Sequence, residues 1–135
     1  MTIIKGFTFK VLILSENVSF RNILASKLRL DNFDVEFISG GFHLLNYLEK
    51  NRDVNMIIFN EDMPDMSAAE AISMVRMSKT KSEMPILFIS KNNNEEEICD
   101  MIFNGANEYV VQTENFKPIL ERAHKYMSLI KQNAA

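Results

Sequence analysis

A single cysteine, Cys99, excludes an internal disulfide and cannot by itself build a thiolate metal site. It reads as a small core residue rather than a reactive thiol. No apolar run approaches the length of a bilayer; Val11-Leu12-Ile13-Leu14 is typical of the longest, so no membrane-spanning segment is expected. The opening Met1-Thr2-Ile3-Ile4-Lys5-Gly6 has no apolar signal core, and the expected location is cytoplasmic. There is no basic cluster to set against a formal charge of −3 and a pI near 5.4, which excludes a nucleic-acid surface. With four glycines and three prolines in 135 residues, no stretch reads as a linker, a repeat or a low-complexity tail. The expectation is one domain over residues 1–135, with a core of about 9–131 and no room for an attached effector domain.

What the chain does have is an alternation of short apolar runs with segments of helical period. Strands are expected at Phe9 to Leu14, Asp34 to Ile38, Met56 to Phe59, Ile86 to Ile89 and Glu108 to Val111. Between them, Phe20, Ile23, Leu24 and Leu28 mark one face of a helix over Val18 to Leu30. Leu44, Leu45 and Leu48 mark a second helix, and Ala68, Ala71, Ile72 and Val75 a third. The fourth opens on Asn94 as N-cap, with Glu95, Glu96 and Glu97 in the first turn, where the helix dipole favours anions. The fifth carries Phe116, Ile119, Leu120, Ala123, Met127 and Ile130 on one stripe, with Pro118 in its first turn, where a missing N–H does little harm. Five strands alternating with five helices predict an α/β fold, a doubly wound parallel sheet covered on both faces.

Asn60 closes the run Met56-Ile57-Ile58-Phe59 and opens the loop Glu61-Asp62-Met63-Pro64-Asp65-Met66. The carboxyl ends of strands form the mouth of an α/β sheet, where these folds place their chemistry. An amide there can hydrogen-bond but cannot act as a carboxylate nucleophile. His43 and His124 are isolated and read as surface or helix-face residues. Gly40-Gly41 lies in neither a P-loop nor a Rossmann fingerprint and reads as a turn leading into the second helix.

Four anchors in order resemble the receiver domain of bacterial two-component response regulators, of the chemotaxis-regulator type. They are Lys10-Val11-Leu12-Ile13-Leu14, Met63-Pro64-Asp65-Met66, Pro85-Ile86-Leu87-Phe88-Ile89-Ser90 and Gly105-Ala106-Asn107-Glu108-Tyr109-Val110-Val111. The resemblance covers about Lys10 to Lys131. It implies a flavodoxin-like (βα)5 fold with strand order 2-1-3-4-5, and a signalling module rather than an enzyme. Receivers bring a carboxylate nucleophile, an acidic pair holding Mg²⁺, a hydroxyl and a lysine to the sheet mouth, where the metal offsets charge on the transferred phosphoryl group.

Matched position by position, most of that set is gone. The acidic pair matches Ser15-Glu16, the nucleophile Asn60, the lysine Gln112 and the following proline Thr113. Ser90 keeps the hydroxyl position and Tyr109 the aromatic switch position, while Lys91 replaces the usual small residue. The losses are correlated, since without a phosphoryl anion a neutral Gln112 is easier to bury than a lysine. The expectation is a degenerate pseudo-receiver with a neutral hydrogen-bonded cluster, no catalytic residue and no cofactor. With Glu16 as the one strong oxygen ligand left, Mg²⁺ is not expected.

Two alternatives stay open: a phosphoacceptor using a displaced carboxylate (Asp62 or Glu61), and a small ligand bound at the sheet mouth. In the fourth helix, from Ile98 to Phe103, only Asp100 is polar; Ile98, Cys99, Met101, Ile102 and Phe103 offer more apolar surface than one buried stripe needs. The resemblance implies that this helix, the fifth strand and the fifth helix dock a protein partner or a second copy of the chain, with Ile98, Ile102, Phe103 and Tyr109 as the contact residues.

Overall fold

The computed structural model describes residues 7–134; the leader expectation, on residues 1–6, lies outside the described residues. The elements run β1 (Lys10–Ser15), α1 (Val18–Leu30), β2 (Asp34–Phe37), α2 (Gly41–Lys50), β3 (Val54–Asn60), α3 (Ala68–Arg76), β4 (Ile86–Ser90), α4 (Glu95–Asn104), β5 (Glu108–Val111) and α5 (Lys117–Ala134). The five strands form one parallel sheet in the order β2-β1-β3-β4-β5, as expected.

Period-two alternation divides the sheet into two apolar faces. Val11, Ile13, Met56, Ile58, Leu87, Ile89 and Val110 meet α1 and α5, through Phe20, Leu24 and Leu28 of α1 and Ile119 and Ala123 of α5. Leu12, Leu14, Ile57, Phe59, Ile86 and Phe88 meet the other side, through Leu44 of α2, Ile72 and Val75 of α3 and Met101 of α4. The central strands are buried on both faces, which is why their sequences are continuous apolar runs rather than alternating ones. Each such side chain stabilises the fold by about 1.5–3 kcal/mol.

The strand ends differ from the apolar runs in an informative way. β1, β3 and β4 each extend onto a polar residue, Ser15, Asn60 and Ser90, and β3 also starts earlier, at Val54. Strand pairing is made by the main chain, so a ladder can continue after the apolar side chains stop. Ser15 is thereby the register partner of Asn60, and Asn60 the partner of Ile89.

Helix ends follow from local chemistry. Asn17, Ser67 and Asn94 accept main-chain N–H groups at the starts of α1, α3 and α4. Gly105 ends α4 at φ 123°, a conformation that favours glycine. Cys99 departs from its expected core position: it is exposed, because the short α4 turns only Met101 fully inward and leaves its outer side in solvent.

Candidate functional site

Ser15, Asn60 and Ser90 are the buried polar side chains among the described residues, all at the carboxyl end of the sheet. Burying them requires partners, since an unpaired buried polar group costs about 1–3 kcal/mol. Ser15 Oγ accepts from Asn17 N at 3.1 Å and donates to Asn60 Oδ1 at 2.9 Å. Asn60 Nδ2 donates to the main-chain oxygen of Ile89 at 2.8 Å and to Gln112 Oε1 at 3.1 Å. The result is a closed, neutral network across β1, β3, β4 and the end of β5.

Strand parity decides who joins it. Ser15, Asn60 and Gln112 continue the alternation of Ile13, Ile58 and Val110, so all three belong to the α1/α5 face. Ser90 continues Phe88 and belongs to the opposite face. Its Oγ accepts from Asn92 N at 3.1 Å, so its hydroxyl is engaged outside the Asn60 network. The two halves still touch through the main chain, where Gln112 N donates to Ser90 O at 2.7 Å. Tyr109 lies on the Ser90 side, its ring 5.3 Å from that of Phe88 and its hydroxyl donating to Asn92 O at 2.6 Å. Burial holds its phenol above the ordinary value, with a hydrogen bond from Ser90 acting the other way.

The carboxylates near the mouth are turned elsewhere. Glu16 is exposed. Glu61 takes a left-handed φ of 68°, which directs it into solvent. Asp62 Oδ1 accepts from Ala68 N at 2.9 Å, at the start of α3. Asp65 accepts from Gly41 N and Phe42 N, both at 3.0 Å, fastening the β3–α3 loop to the start of α2. These bonds, from Phe42 first and then Gly41, hold the Asp65 carboxyl below its usual range. A side chain on Gly41 would displace the Met66 side chain, which packs against this glycine. The residues present do not fit Mg²⁺, which needs several oxygens in octahedral array. Ser15 faces Asn60 and Asp62 caps a helix, and among the described residues no three His, Cys, Asp or Glu side chains converge.

The four residues expected to form a docking face are unequal. Phe103 is 91% exposed, Ile98 is half-buried, and Ile102 and Tyr109 pack against the core on the α2–α4 side. Asp65 and Asn92 play parts that the sequence did not suggest, because their partners are main-chain groups. His43 bonds locally to Ser39, and His124 Nε2 lies 2.9 Å from Asp31 Oδ2 on the surface. No helix among the described residues is long and apolar enough to cross a membrane.

The family model of the response regulator receiver domain matches residues 11–124. A chemotaxis protein CheY homolog of Campylobacter jejuni is 30% identical over 104 residues, covering 76% of this chain and 80% of that protein. The structure of chemotaxis response regulator CheY4 of Vibrio cholerae is similar with a TM-score of 0.79 at 25% identity, covering 89% of this chain and 99% of that one. The CheX-CheY-BeF3-Mg complex of Borrelia burgdorferi matches with a TM-score of 0.78 over 90% of this chain and 91% of that one. At 18% identity, that likeness is one of fold.

Proposed function

The chain belongs to the response regulator receiver domain family, and from that premise we propose that it is a pseudo-receiver, read by a protein partner without being phosphorylated. The supporting observation is the closure of the network around Asn60. Its amide donates to Ile89 and Gln112 and accepts from Ser15, so the position of the phosphoacceptor holds a satisfied structural group. A buried and fully bonded polar network favours one arrangement over its alternatives. The module therefore presents a fixed surface rather than a switched one, and it performs no phosphoryl transfer.

The docking face is α4 with β5 and α5, where Phe103, Val111 and Leu129 stand exposed. Protein association is a use that the fold has elsewhere, since the Borrelia burgdorferi structure is a complex of CheY with CheX. A second copy of the chain is the other occupant this face could take. The proposed location is the cytoplasm.

The test is incubation with acetyl phosphate and Mg²⁺ followed by intact-mass measurement. No added phosphate is expected. Stoichiometric phosphorylation would overturn the reading, and its loss on Asp62→Asn or Glu61→Gln would assign the acceptor to a displaced carboxylate.

A further inference from the structure

Next to the Asn60 network, the start of α1 and the β5–α5 loop border an open cavity of about 450 Å³, within the size range of small-molecule sites. Its apolar wall is Phe20, Ile23 and Phe116; the two rings stack at 5.5 Å and 27°. Ile23 is 43% exposed, so part of this wall faces solvent.

The polar wall includes two donors without an acceptor among the described residues, the Gln112 side-chain amide and the Lys91 ammonium. The Ile89 main-chain oxygen can only accept, so the Asn60 atom facing it is Nδ2. The same amide group meets Gln112, which must present Oε1. Gln112 is thereby oriented with Nε2 on its far side, and no acceptor among the described residues takes that group. Lys91 also lines the cavity and makes no salt bridge among the described residues. Lys27 Nζ stands 5.9 Å from the Phe116 ring centre. The carboxylate in the lining, Glu114, is exposed. An apolar floor beside the Lys91 ammonium and an uncommitted amide donor suits a ligand with an apolar body and an anionic head.

We infer that this cavity is a binding site for a small organic carboxylate, its body on Phe20, Ile23 and Phe116 and its head on Lys91 Nζ and Gln112 Nε2. The inference rests on the phosphorylation-independent reading and supplies it with an input. Gln112 bonds to Asn60 through its side chain and to Ser90 through its main chain, so a ligand held by Gln112 touches both halves of the sheet mouth.

The test uses the full chain, labelled for ¹H–¹⁵N spectra, with phenylacetate and octanoate as probes and phenylacetamide as the neutral counterpart. Saturable shifts are expected at the Gln112 side-chain amide and at Phe20, Ile23 and Phe116, in the millimolar range for molecules so small. Phenylacetamide should bind at least about tenfold more weakly than phenylacetate. Lys91→Gln, at an exposed position where the fold is not at stake, should weaken phenylacetate by a similar factor and leave phenylacetamide unchanged. Absence of saturable shifts with both carboxylates, shifts mapping to another surface, or equal binding of the amide would each overturn the inference. The mass measurement above contains no ligand, so the two readings fail separately.

Discussion

Asn60 Nδ2 donates to the main-chain oxygen of Ile89 at 2.8 Å, a bond from side chain to main chain between neighbouring strands. A carbonyl has no proton to return. In a carboxylate at position 60, the oxygen replacing Nδ2 would stand against both that carbonyl and Gln112 Oε1, in a site only 5% exposed. Asn60→Asp is therefore expected to destabilise the fold by about 1–3 kcal/mol. Urea unfolding measures this directly, and an Asp variant as stable as the parent would contradict the bonding described.

The same relationship bears on restoring phosphorylation. Asn60→Asp alone should remain a poor phosphoacceptor, because it keeps a neutral Gln112 and lacks a metal-facing carboxylate at position 15. Adding Ser15→Asp and Gln112→Lys should raise the rate of labelling by acetyl phosphate by more than the product of the single effects, since the groups act as a unit. Rapid labelling of the single variant would show that no such coupling exists.

How much of this was legible in the sequence depends on which atoms do the bonding. The strands could be read because burial on both faces writes itself as apolar runs; their order, and Ser15, Asn60 and Gln112 as a set, follow from the resemblance to receiver domains. Ser90 matches the same family set, although it is in step with Phe88 along β4 and so lies on the other face. The carboxylates were harder. Asp65 bonds to main-chain groups 23 and 24 residues away, and nothing in the side-chain pattern of Gly40-Gly41 indicates an acidic partner. Cys99 failed for a different reason: residue type predicts burial only on average, and α4 has a single inward stripe.

Asp65 gives the fold an acid-sensitive fastening. Its carboxyl is held below the value of 3.8 that it would have in the unfolded chain, so its contribution is present above that pH and is lost as pH falls through the folded value. Asp65→Ala should lower the melting midpoint at neutral pH by a few degrees, as loss of a helix cap does. The difference from the parent should shrink as pH falls through the folded value, where the parent's carboxyl also becomes protonated. A difference that stays constant from neutral to acid pH would show that the charge on Asp65 is not what secures α2.

Two apolar residues of α4, adjacent in sequence, should respond oppositely to truncation. Phe103 is 91% exposed, and Phe103→Ala is expected to change stability by no more than about 0.5 kcal/mol. Ile102 packs against the core on the α2–α4 side, so Ile102→Ala should cost about 1–2 kcal/mol. Denaturant unfolding of the two variants makes the comparison. A Phe103 variant with parental stability then becomes the proper reagent for testing the docking face, because any loss of partner binding would not come from unfolding. Equal destabilisation by both would mean that Phe103 belongs to the core.

Arg76 joins three segments without an acidic partner among the described residues. Nε donates to Gly105 O at 2.8 Å, one terminal nitrogen to Thr80 O at 3.0 Å and Met84 O at 2.9 Å, and the other to Asn107 Oδ1 at 2.8 Å. Asn107 in turn accepts from Ile86 N at 2.9 Å and donates to Lys81 O at 3.0 Å, so one side chain ties the end of α3 to the starts of β4 and β5. The planar fork of a guanidinium serves divergent carbonyls at once, whereas an ammonium is a single point. Removing it takes the donor from the part-buried carbonyls of Gly105 and Met84. Arg76→Met is expected to cost about 2–4 kcal/mol in urea unfolding, and Arg76→Lys to recover less than half of that loss. Full recovery by lysine would mean that positive charge alone holds the α4–β5 turn, and that the geometry of the fork is incidental.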